Sequence, residues 1–248
     1  MNPTEPNRAH IPAPVPLDPR LAAAASFVRD GSVIADIGTD HAYLPIALLL
    51  EGRIPFAVAS DVNEGPLMRA KANAEKYGAA ERMRFVRSDG LASLEPERDG
   101  VRDICVCGMG GELIARIVGA SDYTRIPGVR LILQPMSSPE ELRRFLDAAG
   151  YAILDERLCE AAGKRYACLL AAYDGLVRES TPASLLLGRG ISRKRSPCSA
   201  RLPRAGSGAW KHRSRDGARE ASIRRRRRRC GTRSCPFWRR RHDSTRIS

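Results

Sequence analysis

Seven short apolar runs, most of them separated by helical patterns, constrain this chain more than any other feature. The runs are Val33–Ile37, Phe56–Ser60, Met83–Arg87, Asp103–Cys107, Val129–Leu133, Ala152–Arg157 and Tyr166–Ala172. Apolar residues recur at helical spacing near Tyr43–Leu50, Glu64–Tyr77, Glu112–Val118 and Pro139–Ala149. An earlier helix is expected over Asp18–Arg29, where Leu21, Ala24, Ala25 and Val28 share one face. Leu91–Gly100 has no clear period. Strands that alternate with helices build a parallel sheet covered on both faces. The eight residues between Arg157 and Tyr166 are too few for a crossover, so the last two strands should pair antiparallel through Glu160–Arg165. The expected fold is therefore α/β, a seven-stranded sheet that is mostly parallel with a C-terminal antiparallel hairpin.

Open sheets of this kind bind ligands at the carboxyl ends of their strands, and there the chain places its polar and flexible residues. The first run ends in Asp36-Ile37-Gly38-Thr39-Asp40-His41-Ala42-Tyr43. A carboxylate at that point accepts hydrogen bonds from a ribose or an amino-acid tail, and a glycine lets the backbone approach closely. Asp61-Val62 ends the second run, about 25 residues on, the spacing of one βαβ unit; an acid there can bind both ribose hydroxyls. Asp89-Gly90 follows the third run, where it suits an adenine amino group. Gly108-Met109-Gly110-Gly111 follows the fourth, where a close backbone suits a donor and an acceptor. No G-x-G-x-x-G sequence follows the first strand, which argues against a dinucleotide, and there is no P-loop.

Two residues of this set have competing readings. Asp40 is either the N-cap of the helix near Tyr43 or a group facing an acceptor. Gln134, in Gln134-Pro135-Met136 after the fifth run, offers an amide that either reads a base edge or serves the strand end. His41 is expected to orient its loop or touch a ligand rather than move protons. Aromatic residues are only 5% of the chain, which leaves Tyr43 as the best-placed stacking partner for a base.

Charge divides the chain. Residues 181–248 hold 21 of its 42 Lys and Arg but 3 of its 28 Asp and Glu, a net of +18, so residues 1–180 carry −4. The expected organisation is a Pro-rich disordered leader at 1–17, a folded domain at 18–188, and an Arg-rich disordered tail at 189–248 containing the unbroken run Arg224–Arg229. No run of about 18 apolar residues predicts a membrane helix. The seven cysteines lack zinc spacing, so reduced thiols, a cytoplasmic location and no metal are expected.

Asp36-Ile37-Gly38-Thr39-Asp40-His41-Ala42-Tyr43-Leu44-Pro45, Gly108-Met109-Gly110-Gly111 and Leu131-Ile132-Leu133-Gln134-Pro135-Met136 resemble the bacterial tRNA (adenine-22-N1)-methyltransferase family. Glu156-Arg157-Leu158 with Gly163-Lys164-Arg165-Tyr166 is similar to that family's terminal hairpin, and the resemblance covers roughly residues 17–188. It implies a Rossmann-like methyltransferase sheet and S-adenosylmethionine-dependent methylation of adenine N1 in tRNA. Asp36, Gly38, His41, Asp61, Val62, Asp89, Gly90, Gly108 and Met109 would lie along the cofactor. Tyr43, Gly110, Gly111 and Gln134 would line the acceptor side, and Asp40 matches an acidic position proposed to serve the base. Members of the family continue into a helical region thought to help hold tRNA, whereas this chain turns Arg-rich. An out-of-frame reading of a GC-rich gene produces such a composition, so a frameshift near residue 189 is the expectation. The rival expectations are a basic RNA-binding protein with a non-catalytic sheet, and a methyltransferase for another acceptor.

Overall fold

The computed structural model of the protein describes residues 15–188. The Arg-rich tail and the first fourteen residues of the expected leader lie outside the described residues. Val15 and Leu17, also assigned to the leader, pack against the core.

Seven strands form one sheet: β1 (Ile34–Ile37), β2 (Ala57–Asp61), β3 (Met83–Arg87), β4 (Asp103–Gly110), β5 (Arg130–Ser137), β6 (Tyr151–Ala161) and β7 (Lys164–Tyr173). Their order is β3-β2-β1-β4-β5-β7-β6. The first five are parallel, and β7 runs antiparallel to both β5 and β6. Seven helices accompany them among the described residues: α1 (Pro19–Ala25), α2 (Tyr43–Leu50), α3 (Glu64–Lys76), α4 (Pro96–Asp99), α5 (Gly111–Gly119), α6 (Pro139–Ala148) and α7 (Pro182–Leu187). None of them is long and apolar enough to cross a membrane.

The period-2 side-chain alternation of the strands feeds two separate cores. Ile34, Cys105, Ile132 and Cys168 point to one face, which α1, α2 and α3 cover with Ala24, Leu44, Leu48, Ala70 and Ala74. Ala35, Ile37, Ile104, Val106 and Leu131 point to the other, covered by Ile114, Val118, Leu142 and Leu146 from α5 and α6. Burial on both faces explains why these strands read as continuous apolar runs.

Three departures from the expected boundaries have local causes. The α1 helix starts as expected, with Asp18 accepting from the N–H groups of Arg20 (2.8 Å) and Leu21 (3.0 Å), but it ends at Ala25, four residues early. The chain turns there so that Arg29 reaches Asp103. The terminal hairpin needs no loop from Glu160 to Arg165, because Ala162 and Gly163 both adopt positive φ (50° and 71°) and close a two-residue turn between Ala161 and Lys164. Within Leu91–Gly100, Pro96–Asp99 forms the single turn of α4.

At the amino end of β4, the fully buried Asp103 accepts from Arg29 (N 2.8 Å, Nε 3.0 Å) and Arg130 (Nε 3.1 Å). Burial pushes this carboxyl up, but the hydrogen bonds from Arg130 and Arg29 outweigh it and hold the pKa below the usual range. Asp103→Asn should therefore cost about 2 kcal/mol at pH 7, less than for a fully buried pair because Arg29 reaches solvent. Since the folded pKa is the lower one, that contribution is present above the unfolded value near 4 and is lost as pH falls through the folded value. Urea denaturation of both proteins at pH 7 and pH 3 checks this: the gap should narrow in acid.

Candidate active site

Strand order reverses between β1 and β4, and such a switch point opens a crevice at the carboxyl edge of an open α/β sheet. The loops after β1, β2, β3, β4 and β5 all lie on this edge.

The loop after β1 is pinned to its neighbour, because the N–H groups of Gly38 (2.8 Å) and Thr39 (2.9 Å) both donate to the Ser60 carbonyl. Gly38 has φ +74°, and a Cβ there would stand 1.8 Å from Met109 Cε, so the Met109 side chain lies directly across it. Asp36 is 8% exposed, and burial pushes its carboxyl up to about 6. Ser60 Oγ is buried without a hydrogen-bond partner among the described residues, and Thr39 Oγ1, equally buried, faces the Asp36 carboxyl, a weak contact that offsets part of the effect of burial. Unmet buried hydroxyls are uncommon in folded domains. Here the two hydroxyls sit at the ends of adjacent strands, beside a carboxylate that burial disfavours. A polar ligand with its own donors would satisfy all three.

Asp61 Oδ1 accepts from Asn63 N (2.7 Å), which holds the carboxylate at the end of β2. Val62 is exposed, and its carbonyl accepts from Arg87 Nε (3.0 Å). Asp89 is exposed, and Gly90 takes φ +56° against Ile117 of α5. In β4 the register slips on either side of Met109, so Gly108, at φ +82°, has no partner residue on β5. Gly111, the buried first residue of α5, would place a Cβ 2.1 Å from the Ser138 carbonyl oxygen, so only glycine fits between these two loops.

Two expectations are corrected. Asp40 does not cap α2: Ala42 is the N-cap residue, with φ 54° and no side-chain cap bond. The Asp40 carboxylate is exposed and instead accepts from Arg69 Nε (2.8 Å) of α3, while its other oxygen lies 3.4 Å from His41 Nε2. Gln134 does not present its amide to a base. It is fully buried, accepts from Gly108 N (3.3 Å) and donates to the Pro135 carbonyl (2.8 Å), so it braces the β4 and β5 ends against each other. The His41 ring lies parallel to Tyr43 (5.2 Å between centroids, 10° between planes), with His41 half-exposed beside Asp40 and Tyr43 partly buried against the core.

Sequence reasoning missed Arg69 and Asn73, which turn from α3 onto this loop, and the buried hydroxyls of Thr39 and Ser60. Neither pair carried a signal, since their roles follow from which elements meet. Among the described residues, Cys105, Cys107 and Cys168 stand outside any disulfide, and burial pushes the thiols of Cys105 and Cys107 well up.

A family model described as a methyltransferase domain matches residues 17–169. The tRNA (adenine(22)-N(1))-methyltransferase of Bacillus subtilis (strain 168) is 36% identical over 188 residues, 73% of this chain and 76% of that protein. The structure of Streptococcus pneumoniae Sp1610 in complex with S-adenosyl-L-methionine superposes with a TM-score of 0.66 at 38% identity, covering 73% of this chain and 84% of that one. M. capricolum TrmK in complex with S-adenosyl-homocysteine gives 0.61 at 26% identity, over 71% and 76% of the two chains.

Proposed function

The chain belongs to the tRNA (adenine-22-N1)-methyltransferase family, and on that premise we propose that it methylates N1 of adenine 22 in tRNA with S-adenosylmethionine as donor. The observation that carries the reading is the gathering of Asp36, Asp61 and Asp89 with the glycine turns of Gly38, Gly90 and Gly108 on one sheet edge. Among them lie the buried Ser60 hydroxyl, which lacks a partner among the described residues, and the buried Thr39 hydroxyl beside Asp36. The donor supplies an electrophilic methyl group on a sulfonium.

In this reading Asp61 accepts from the ribose hydroxyls, its carboxylate already oriented by Asn63 N. Asp89 and Gly90 take the adenine end. Asp36, with Thr39 and Ser60 beside it, meets the charged amino-acid end. Gly108 and Met109 bring the β4 backbone to the reacting centre and Gly110 lies on the acceptor side, whereas Gly111, expected there too, is buried and lets α5 pack against the Ser138 carbonyl. His41 and Tyr43 offer a stacked, partly exposed surface to a base taken out of the tRNA stack. Asp40 stands next to that surface and faces the charge that forms on the ring. Residues 18–188 are the catalytic unit of this proposal. The Arg-rich 189–248 stand in place of the family's helical region, and resequencing the gene across codon 189 tests that. An enzyme with this cofactor and substrate works in the cytoplasm.

The direct test is calorimetry of S-adenosylmethionine with the full chain and with Asp61→Ala. Micromolar binding that weakens tenfold or more, roughly the value of one or two hydrogen bonds to a charged group, supports the assignment. A folded protein that binds no cofactor would favour an RNA-binding protein with an inert sheet.

A further inference from the structure

Arg69 and Asn73 are four residues apart on α3, the spacing that sets two side chains on one face of a helix. Both turn toward the loop that carries Asp40 and His41. Arg69 Nε (2.8 Å) and Nη2 donate to the same oxygen of Asp40, Oδ1. Asn73 Nδ2 donates to the His41 carbonyl (3.1 Å) and lies 3.5 Å from His41 Nδ1. Arg69 and Asp40 are both about half exposed, with side-chain exposures of 52% and 55%. An ion pair that open to solvent adds little to stability, so stability does not account for the arrangement. The geometry is also one-sided. Nε and Nη2 of the guanidinium both engage Oδ1, while Oδ2 lies 3.4 Å from His41 Nε2, beyond a good hydrogen bond.

We propose that Arg69 is a positioning residue for methyl transfer: it holds Asp40 by one oxygen and leaves the other aimed at the acceptor base, while Asn73 fixes the neighbouring His41. The inference rests on the reading of Asp40 as the group that faces the base. An arginine beside a tRNA site can also anchor a phosphate, and the two roles differ in what they couple to. A phosphate anchor acts on affinity and independently of Asp40. A positioning residue acts on turnover and only through Asp40.

The test is steady-state kinetics with the full chain, Arg69→Ala and Arg69→Lys, each also combined with Asp40→Asn. With Arg69→Ala, kcat on saturating tRNA should fall about tenfold, the scale of a misplaced catalytic group. The KM for tRNA and the affinity for S-adenosylmethionine should stay within about twofold, and Arg69→Lys should recover part of the loss by restoring one donor. In the Asp40→Asn background, Arg69→Ala should cost nothing more. A loss that appears in KM, steepens with salt and adds fully to that of Asp40→Asn would overturn the proposal in favour of a phosphate anchor. Unchanged kcat in Arg69→Ala beside an impaired Asp40→Asn would overturn it while sparing the reading of Asp40. Full turnover in Asp40→Asn would overturn both.

Discussion

Asp40→Asn should lower turnover on saturating tRNA about 100-fold while leaving S-adenosylmethionine affinity and melting temperature unchanged, a magnitude typical of removing one preorganised electrostatic group. Adenine N1 has a lone pair in the ring plane, so no strong base has to act before attack, and much of the catalysis can come from holding N1 in line with the methyl group. The ring becomes positively charged as the bond forms. A carboxylate beside it stabilises that charge as it develops, and the neutral amide, nearly identical in shape, does not. Asp40 is exposed and makes no cap bond to α2, so the substitution removes charge without disturbing the fold. Single-turnover methyl transfer with saturating cofactor checks the expectation; an unchanged rate would exclude Asp40 from the chemistry.

Asp36→Asn should do two opposite things: weaken S-adenosylmethionine binding tenfold or more, and stabilise the unliganded protein above pH 6. Burial raises the Asp36 pKa to about 6 in the folded chain, against about 3.9 when unfolded. The folded state therefore holds its proton longer. Its stability contribution is complete below about pH 4 and is lost as pH rises through 6, a loss of at most about 3 kcal/mol for two units of difference. The amide carries no such penalty, so denaturation curves of the two proteins should coincide near pH 4 and separate toward pH 8, with Asp36→Asn the more stable. Cofactor affinity of the unsubstituted chain should rise over the same interval, as Asp36 ionises. Parallel stability curves from pH 4 to pH 8 would contradict the assignment of the buried charge.

The sheet was legible in the sequence because β1, β2, β4, β5 and the middle of β7 are buried on two faces and so read as apolar runs. The glycines were legible for a related reason, since a turn that needs positive φ or close backbone approach, as at Gly38 and Gly111, tolerates little else. What stayed hidden was tertiary. Asp40 has the residue type of an N-cap, but Ala42 takes the left-handed turn and sends the carboxylate to α3 instead. Gln134 has the residue type of a base reader, and only the meeting of β4 with β5 decides that its amide goes to Gly108 N and the Pro135 carbonyl. Arg69 and Asn73 lie on a polar helix face that reads as solvated until the loop after β1 is laid against it. The α1 helix ended early for the same reason: the pull of Asp103 on Arg29 is 74 residues away in sequence.

The central claim is methylation of one adenine in tRNA at N1, and the most direct measurement is transfer of labelled methyl from S-adenosylmethionine to a tRNA transcript by the full chain. Digestion and mass spectrometry then identify the modified nucleoside. The account predicts N1-methyladenosine at position 22, and no incorporation when adenine 22 is replaced by guanine. A folded, cofactor-binding protein that leaves the transcript unmodified, or modifies both transcripts equally, would contradict it.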